Sequence, residues 1–82
     1  RYAAAVIRQI RAVPQQRGSG HGTALVGFEI ARTGGLARVT ILRSSGSAPL
    51  DAAALDHIRR AAPFPPPPET PARFSFEFSA RG

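Results

Sequence analysis

The sequence predicts a single α+β domain ordered α-β-β-α-β, in which two helices pack on one face of a three-stranded antiparallel sheet. Two segments carry apolar residues at helical spacing, and three alternate between apolar and polar residues. A glycine-containing turn joins two of the alternating segments into a hairpin. The chain has 82 residues, five Phe and no Cys, Met or Trp, so we expect a small core that depends on hydrophobic burial alone.

The first helix is predicted over residues 2–12. Its apolar residues recur every three or four positions, as they do on one face of a helix. Pro14 restricts the preceding residue to an extended conformation, so the helix should end by residue 12 or 13. A polar, glycine-rich connector follows over 15–22. The apolar face carries Tyr2, Val6, Ile7, Ile10 and Val13.

The first two strands are predicted over residues 23–31 and 36–43, joined by the turn Thr33-Gly34-Gly35. Side chains alternate between the two faces of a strand, so one face of the sheet should be buried and the other exposed to solvent. The buried face receives Ala24, Val26, Phe28, Ile30, Val39 and Ile41. The exposed face receives Thr23, Glu29, Arg38, Thr40, Ser75 and Glu77.

The second helix is predicted to begin near Pro49, with Ser47 as its N-cap, and to end before Pro63. A carboxylate in the first turn, Asp51, interacts favourably with the helix dipole. Asp56 and Arg60 have the spacing of an i,i+4 ion pair. The residues that should face the core are Leu50, Ala54, Leu55, Ile58 and Ala62.

The proline-rich segment 63–68 should adopt polyproline II geometry, because proline lacks the backbone N–H and fixes φ. A groove-binding PxxP ligand is one interpretation, but a stiff crossover between a helix and a strand is the preferred one, with Phe64 reaching the core. The third strand is predicted over residues 73–79. Phe74, Phe76 and Phe78 point to the core face, and the edge of this strand remains able to pair with another chain.

The net charge of +6, with arginine as the basic residue at all eleven positions, suits an anionic partner such as nucleic acid, a lipid surface or an acidic peptide. However, only Arg59 and Arg60 are adjacent, which favours arginines spread over solvated faces. The high positive charge keeps a small nucleic-acid-binding module as an alternative. Against it, the sequence lacks the aromatic-basic and Gly-x-x-Gly motifs of common RNA-binding modules.

Sequence motifs for catalysis or metal binding are weak. The glycine-rich segment 18–22 leads into a strand and is not followed by Gly-Lys-Ser/Thr, which argues against a phosphate loop. His21 has only His57 as a histidine partner, so we expect two solvent-exposed histidines and no metal site. No nucleophile-base pair or carboxylate dyad can be assembled. The sequence therefore predicts no catalytic residue, no cofactor and no enzymatic activity.

Several motifs, in their order along the chain, resemble the C-terminal domain of the TonB family. After a tyrosine-led first helix come Ser44-Ser45-Gly46, then Leu50-Asp51 followed by Ala53-Ala54-Leu55, then Pro63-Phe64-Pro65-Pro66-Pro67, and finally the phenylalanine-alternating strand. The Gln-Pro-x-Tyr-Pro element that precedes the domain in some members is absent, and Val13-Pro14-Gln15 is at best a partial stand-in.

This resemblance implies that residues 1–82 are the periplasmic C-terminal domain of a protein anchored in the inner membrane by one upstream helix and a Pro-rich linker. It also implies coupling to ExbB- and ExbD-like proteins and to outer-membrane receptors that import iron chelates (siderophores) or cobalamin. The domain would bind the receptor's TonB box as an added strand on the last strand. The implied peptide-binding residues are Arg73, Phe74, Ser75, Phe76, Glu77, Phe78 and Ser79.

Three further expectations accompany the resemblance. A TolA-like or otherwise specialised envelope adaptor of the same fold is the alternative function, because the accepted peptide decides between the two. The domain should be a monomer or a strand-exchanged dimer, since a free sheet edge permits exchange. Nucleic acid is not expected as a partner, and the membrane is reached only through the upstream anchor.

Overall fold

The computed structural model describes residues 1–15 and 20–81 and confirms the predicted order of elements. The two helices occupy nearly the predicted positions, and β2 has the predicted bounds, whereas β1 and β3 differ at their ends. The elements are α1 (Tyr2–Ala12), β1 (His21–Ile30), β2 (Leu36–Arg43), α2 (Ala48–Ala61) and β3 (Ala72–Arg81).

Strand β3 extends beyond both predicted ends and β1 begins two residues earlier than predicted, because each supplies the other's hydrogen-bonding partner, whereas β1 ends at Ile30, one residue before its predicted end. His21 and Gly22 pair with Arg81 and Ala80, so two residues of the predicted connector belong to the sheet. The alternation of apolar and polar side chains does not predict these extra pairs, because the hydrogen bonds between strands are made by backbone groups. The remainder of the predicted glycine-rich segment falls largely outside the described residues.

The sheet has the order β2-β1-β3, with both pairings antiparallel. Strand β1 is central, so β2 and β3 form the two edges. The register between β1 and β3 runs without a shift from the pair His21 and Arg81 to the pair Ile30 and Ala72. The register between β1 and β2 shifts twice, because Leu42 and Ala37 of β2 have no partner residue in β1.

The core lies between one face of the sheet and the two helices, as predicted. Phe74 and Phe76 are half-buried against this core, and the phenylalanine at 64 enters it from the proline-rich crossover. The sheet's other face is largely exposed to solvent. The buried core cluster consists of Val6, Ile10, Ala24, Val26, Phe28, Ile30, Ala54, Ile58, Ala61, Phe64, Ala72 and Phe78.

Residues 62–71, which connect α2 to β3, form neither helix nor strand. Two contacts attach the start of this segment to α1: Gln9 Nε2 donates to the carbonyl of Pro63 at 2.5 Å, and the Tyr2 hydroxyl donates to the carbonyl of Pro65 at 2.6 Å. The N–H of Phe64 donates to the carbonyl of Gly34 in the hairpin turn at 2.8 Å. The segment is thus held between the first helix and the hairpin.

The corner between β2 and α2 is closed by hydroxyl and carboxylate groups. Ser47 caps α2 by accepting from the N–H of Leu50, which confirms the predicted N-cap. The carboxylate of Asp51 accepts from the N–H of Ser45 at 2.9 Å and lies within hydrogen-bond distance of the Ser44 and Ser45 hydroxyls. These hydrogen bonds lower the pKa of Asp51, and the bond from Ser44 has the largest effect, ahead of those from Ser45.

The prediction that both histidines are exposed is wrong for His57 and confirmed for His21. His57 is 7 % exposed, and its Nε2 lies 2.8 Å from the carbonyl oxygen of Ile10 in α1. A carbonyl only accepts, so Nε2 carries the proton of this bond. Position 57 lies three residues after Ala54 and next to Ile58, so helical spacing places it on the buried side of α2.

Neither helix in the described part of the chain has the length and apolar character needed to cross a membrane.

Candidate functional site

The predicted binding residues 73–79 all lie within β3, which pairs with β1 on one side and with no other strand of the described chain on the other. Their side chains separate as predicted. Arg73, Ser75, Glu77 and Ser79 are exposed on the solvent face, whereas the three phenylalanines point toward the helices. Strand β3 is therefore a sheet edge with one buried face and one solvated face.

The outward direction of the β3 backbone follows from one hydrogen bond outside the sheet. Gln15 Nε2 donates to the carbonyl of Ser79 at 2.9 Å, so this carbonyl points away from β1. In an antiparallel ladder the N–H and C=O of one residue point to the same side, and successive residues alternate. Since the register has no shift here, Arg73, Ser75 and Glu77 also direct their backbone groups outward.

The side chains of Thr23 and Ser79 agree with this assignment. Their hydroxyl oxygens lie 3.1 Å apart across the two strands. Directly opposed side chains come closest in a pair whose backbone groups do not bond to each other. The backbone groups of such a pair point away from the strand opposite, which agrees with the bond that the Ser79 carbonyl accepts from Gln15.

The other edge of the sheet is less regular. Strand β2 carries one extra residue, Ala37, near its start and another, Leu42, near its end relative to β1. Such bulges interrupt a ladder and increase local twist, which is one way in which proteins discourage pairing at an edge. Strand β3 has no such irregularity. Of the two edges, β3 is therefore the better template for an added strand.

A groove of about 290 Å³ separates the end of α1 from the outer part of β3. Its apolar surface comes from both elements and from the proline after the helix, and charged or amide groups surround it. The volume is at the lower end of the roughly 300–1,000 Å³ typical of small-molecule pockets, which is enough room for a large apolar side chain. The lining residues are Ile10, Arg11, Val13, Pro14, Gln15, His57, Phe76, Glu77, Phe78 and Ser79.

Residues 76–79 of the predicted binding strand line this groove, whereas the half supplied by α1 and the residues after it was not predicted. In the sequence, Val13, Pro14 and Gln15 indicate only the end of a helix, the start of a connector and a partial family motif. Only the fold brings the residue at 15 to Ser79, 64 positions later. The nearest sequence signal is Pro14 itself, which ends the helix and directs the following residue away from it.

Electrostatic interactions at the edge are those of exposed groups. Arg73 Nε lies 3.3 Å from Glu29 Oε1 across the solvent face, with the Arg73 side chain 73 % exposed. Because the Arg73 side chain is mostly in solvent, this pair contributes only about 0–1 kcal/mol. Glu77 and Arg11 stand exposed beside the groove, so each can meet a charge on a bound segment.

No group of three side chains suited to hold a metal ion occurs among residues 1–15 and 20–81. The hydroxyl and carboxylate groups that do cluster, at Ser44, Ser45 and Asp51, bond to one another and to the start of α2. Their hydrogen bonds account for the turn of the chain at this corner.

The arrangement at β3 can bind an extended backbone and one apolar side chain.

Comparison with known proteins gave a family match over nearly the whole chain. The family model described as TonB C terminal matches residues 1–80. A search of curated proteins gave no match.

Two solved structures share the fold. The solution NMR structure of TolAIII bound to a peptide derived from the N-terminus of TolB has a TM-score of 0.72 and 17 % identity, covering 96 % of this chain and 72 % of that one. The structure of HasB CTD has a TM-score of 0.60 and 19 % identity, covering 95 % of this chain and 67 % of that one.

Proposed function

Because this chain belongs to the TonB C-terminal family, we propose that it captures an extended segment of a partner protein as a fourth strand on β3. C-terminal domains of the TonB and TolA type are protein-interaction modules, and they are periplasmic parts of inner-membrane proteins of the energy-transducer type. The proposal adds the place of capture and the form of the captured segment.

The observation that carries the proposal is the regular free edge of β3 beside an apolar groove. The Ser79 carbonyl points away from β1, and backbone direction alternates along a strand, so Arg73, Ser75 and Glu77 also direct their backbone groups outward. Strand addition uses main-chain hydrogen bonds for affinity and pockets for alternate side chains for specificity. The edge supplies the first of these, and the groove next to Phe76 supplies the second.

The affinity expected from this edge is modest. Each hydrogen bond contributes about 0.5–1.5 kcal/mol net, and ordering an extended peptide opposes binding. A short ladder therefore binds weakly by itself. Tethering of both partners in the envelope raises the effective concentration of the peptide and strengthens capture without new contacts.

The partners we propose are outer-membrane TonB-dependent receptors, captured through the TonB box, with ExbB- and ExbD-like proteins acting on segments upstream of residue 1. In this function the domain couples the inner-membrane proton-motive force to the import of iron siderophores or cobalamin. A TolA-like envelope adaptor is the second candidate. It is motivated by the fold shared with TolAIII, whose solved structure contains a TolB-derived peptide.

An NMR titration tests the site and separates the two candidates. The labelled domain is titrated with synthetic peptides from the N-terminal segments of a TonB-dependent receptor and of a TolB-like protein of the same genome. Amide shifts concentrated on 73–79 with the receptor peptide support nutrient import, and the same shifts with only the TolB-like peptide support the adaptor. Shifts concentrated on β2, or none at millimolar peptide, would contradict capture on β3.

A pair of substitutions at Ser75 tests the backbone role of the edge. Ser75→Pro removes an outward N–H while leaving the paired side of β3 intact, and proline is tolerated on an edge strand. We expect peptide affinity to fall at least about fivefold, as the loss of a bond of about 1 kcal/mol requires. Ser75→Ala keeps the N–H and should bind like the wild type. Equal affinities of both variants, with an intact fold, would move the site elsewhere.

A further inference from the structure

We propose that Gln15 ends the bound strand at Glu77 and so determines the register and length of the peptide that the β3 edge accepts. This inference rests on the proposed function, since it concerns the peptide captured on β3. It concerns a residue outside the strand, on the segment that follows α1. The contact that carries it is the hydrogen bond from Gln15 Nε2 to the carbonyl of Ser79, at 2.9 Å.

This carbonyl is the acceptor that an added strand needs next after Glu77. Outward-facing groups on β3 occur at every second residue, so a ladder that passes Glu77 must bond to Ser79. The carboxamide of Gln15 already donates to that oxygen, where the N–H of an added strand would donate. A peptide can therefore pair along residues 73–77, while continuation beyond them requires the displacement of Gln15.

The position of Gln15 is fixed by the way α1 ends. The N–H of Val13 donates to the carbonyl of Ile10, and Val13 is extended, with φ −81° and ψ 127°. Pro14, whose ring restricts its own φ, follows and lines the groove. The chain thus leaves the helix beside the outer part of β3 and presents the Gln15 side chain to Ser79.

The same stop aligns the peptide with the groove. Side chains directly opposite each other on neighbouring strands point to the same face of a sheet. The peptide residue opposite Phe76 therefore faces the groove, whose apolar surface includes Ile10, Val13 and Phe78. With the ladder ending at Glu77, we expect a large apolar residue at this one position and variable residues at the neighbouring positions, which face solvent.

The test uses three nested peptides cut from a receptor segment that binds in the titration above. The core peptide has the five residues that pair with 73–77, and two longer peptides add residues at its N-terminal or its C-terminal end. Each is titrated into the wild type, Gln15→Ala and the control Gln9→Ala. Gln9 is also a glutamine of this end of the chain, but its amide donates to the carbonyls of Ala61 and Pro63.

In the wild type and in Gln9→Ala, we expect the extension that reaches Ser79 to change affinity less than about twofold. In Gln15→Ala the same extension should tighten binding about fivefold, which corresponds to one recovered hydrogen bond of about 1 kcal/mol. The extension at the opposite end should act equally in all three proteins. The end at which the effect occurs also gives the direction of the bound strand.

Two results would overturn the role of Gln15: an extension effect that is the same in the wild type and Gln15→Ala, or a loss of core-peptide affinity in Gln15→Ala. The second would mean that the side chain binds the peptide instead of ending the ladder. Failure of the core peptide to shift residues 73–77 in any of the three proteins would instead overturn capture on β3, and the inference with it.

Discussion

At the scale of single residues, the carboxylate of Asp51 links the end of β2 to the first turn of α2. Hydrogen bonds to this carboxylate lower its pKa below the ordinary value of 3.8. The largest effect comes from the Ser44 hydroxyl, and smaller effects come from the N–H and the hydroxyl of Ser45. A carboxyl group whose folded pKa is depressed stabilises the fold above its unfolded pKa, and this contribution is lost as pH falls through the folded pKa. The corner should therefore weaken only below about pH 3.8.

Unfolding by urea between pH 7 and pH 2 checks this expectation. The wild type should lose stability as pH falls below 3.8, as protonation of Asp51 removes an acceptor. Asp51→Asn should be less stable than the wild type at pH 7 and should show a smaller loss on acidification. Asp56→Asn, which removes only the exposed pair with Arg60, is the control and should keep the acid-induced loss. Parallel acid curves for all three proteins would contradict the assignment.

The two histidines give a matched pair for measuring burial at one residue type. His57 donates to the carbonyl of Ile10 and its ring lies 4.9 Å from that of Phe78, between centroids. We expect His57→Ala to lower the free energy of unfolding by about 1–3 kcal/mol, because a buried hydrogen bond and a ring contact are lost. His21→Ala, at an exposed position, should stay within about 0.5 kcal/mol. Similar costs for both would show that His57 is not buried.

At the scale of elements, the hairpin turn and the proline-rich crossover are joined at Gly34. Its φ is +99°, its carbonyl accepts from the N–H of Phe64, and a Cβ here would meet the Phe64 carbonyl. Phe64 in turn stacks on Phe28, with ring centroids 6.0 Å apart. The turn therefore anchors the crossover, which carries the chain from α2 to β3.

Alanine substitutions at the two adjacent glycines test this junction. Gly34→Ala should destabilise the domain by about 2 kcal/mol or more, because the residue adopts a left-handed conformation and a backbone carbonyl fills the space of its Cβ. Gly35→Ala meets no atom nearer than 3.8 Å and should change stability by less than about 1 kcal/mol in either direction. Chemical denaturation gives the free energy of unfolding of both variants. An equal loss of stability in the two would contradict a close backbone contact at Gly34.

At the scale of the whole molecule, the net charge of +6 is distributed over several sides of the fold. Exposed arginines occur on both helices, on β2 and on β3, so they do not line one groove. Such a distribution aids solubility and encounter with acidic partners but gives few simultaneous phosphate contacts. The exposed arginines in these elements are Arg8, Arg11, Arg38, Arg43, Arg59, Arg60 and Arg73.

Salt dependence distinguishes a peptide partner from nucleic acid. Binding that rests on several phosphate contacts falls by orders of magnitude between about 50 and 200 mM salt. We expect peptide affinity to change less than about threefold over this range, because backbone hydrogen bonds supply it. Retention on immobilised DNA or heparin should disappear by about 150 mM salt. Retention that survives this concentration would favour the nucleic-acid module over the peptide-binding domain.

The sequence by itself determined the elements of this protein and the family to which it belongs. Alternation along 73–79 identified a strand with a phenylalanine face, Ser47 and Pro49 marked the start of α2, and the motif order indicated the TonB C-terminal family. These signals are local in the chain or depend on motif order, so they can be read without the fold.

Only the tertiary structure decided which edge is regular, where the groove lies, and that Gln15 and His57 belong to its lining. The order β2-β1-β3, the bulges of β2, and the contacts of Gln15 with Ser79 and of His57 with Ile10 join residues far apart in sequence. Periodicity gives the face on which a side chain lies, but the partner that it meets there depends on chain-wide packing.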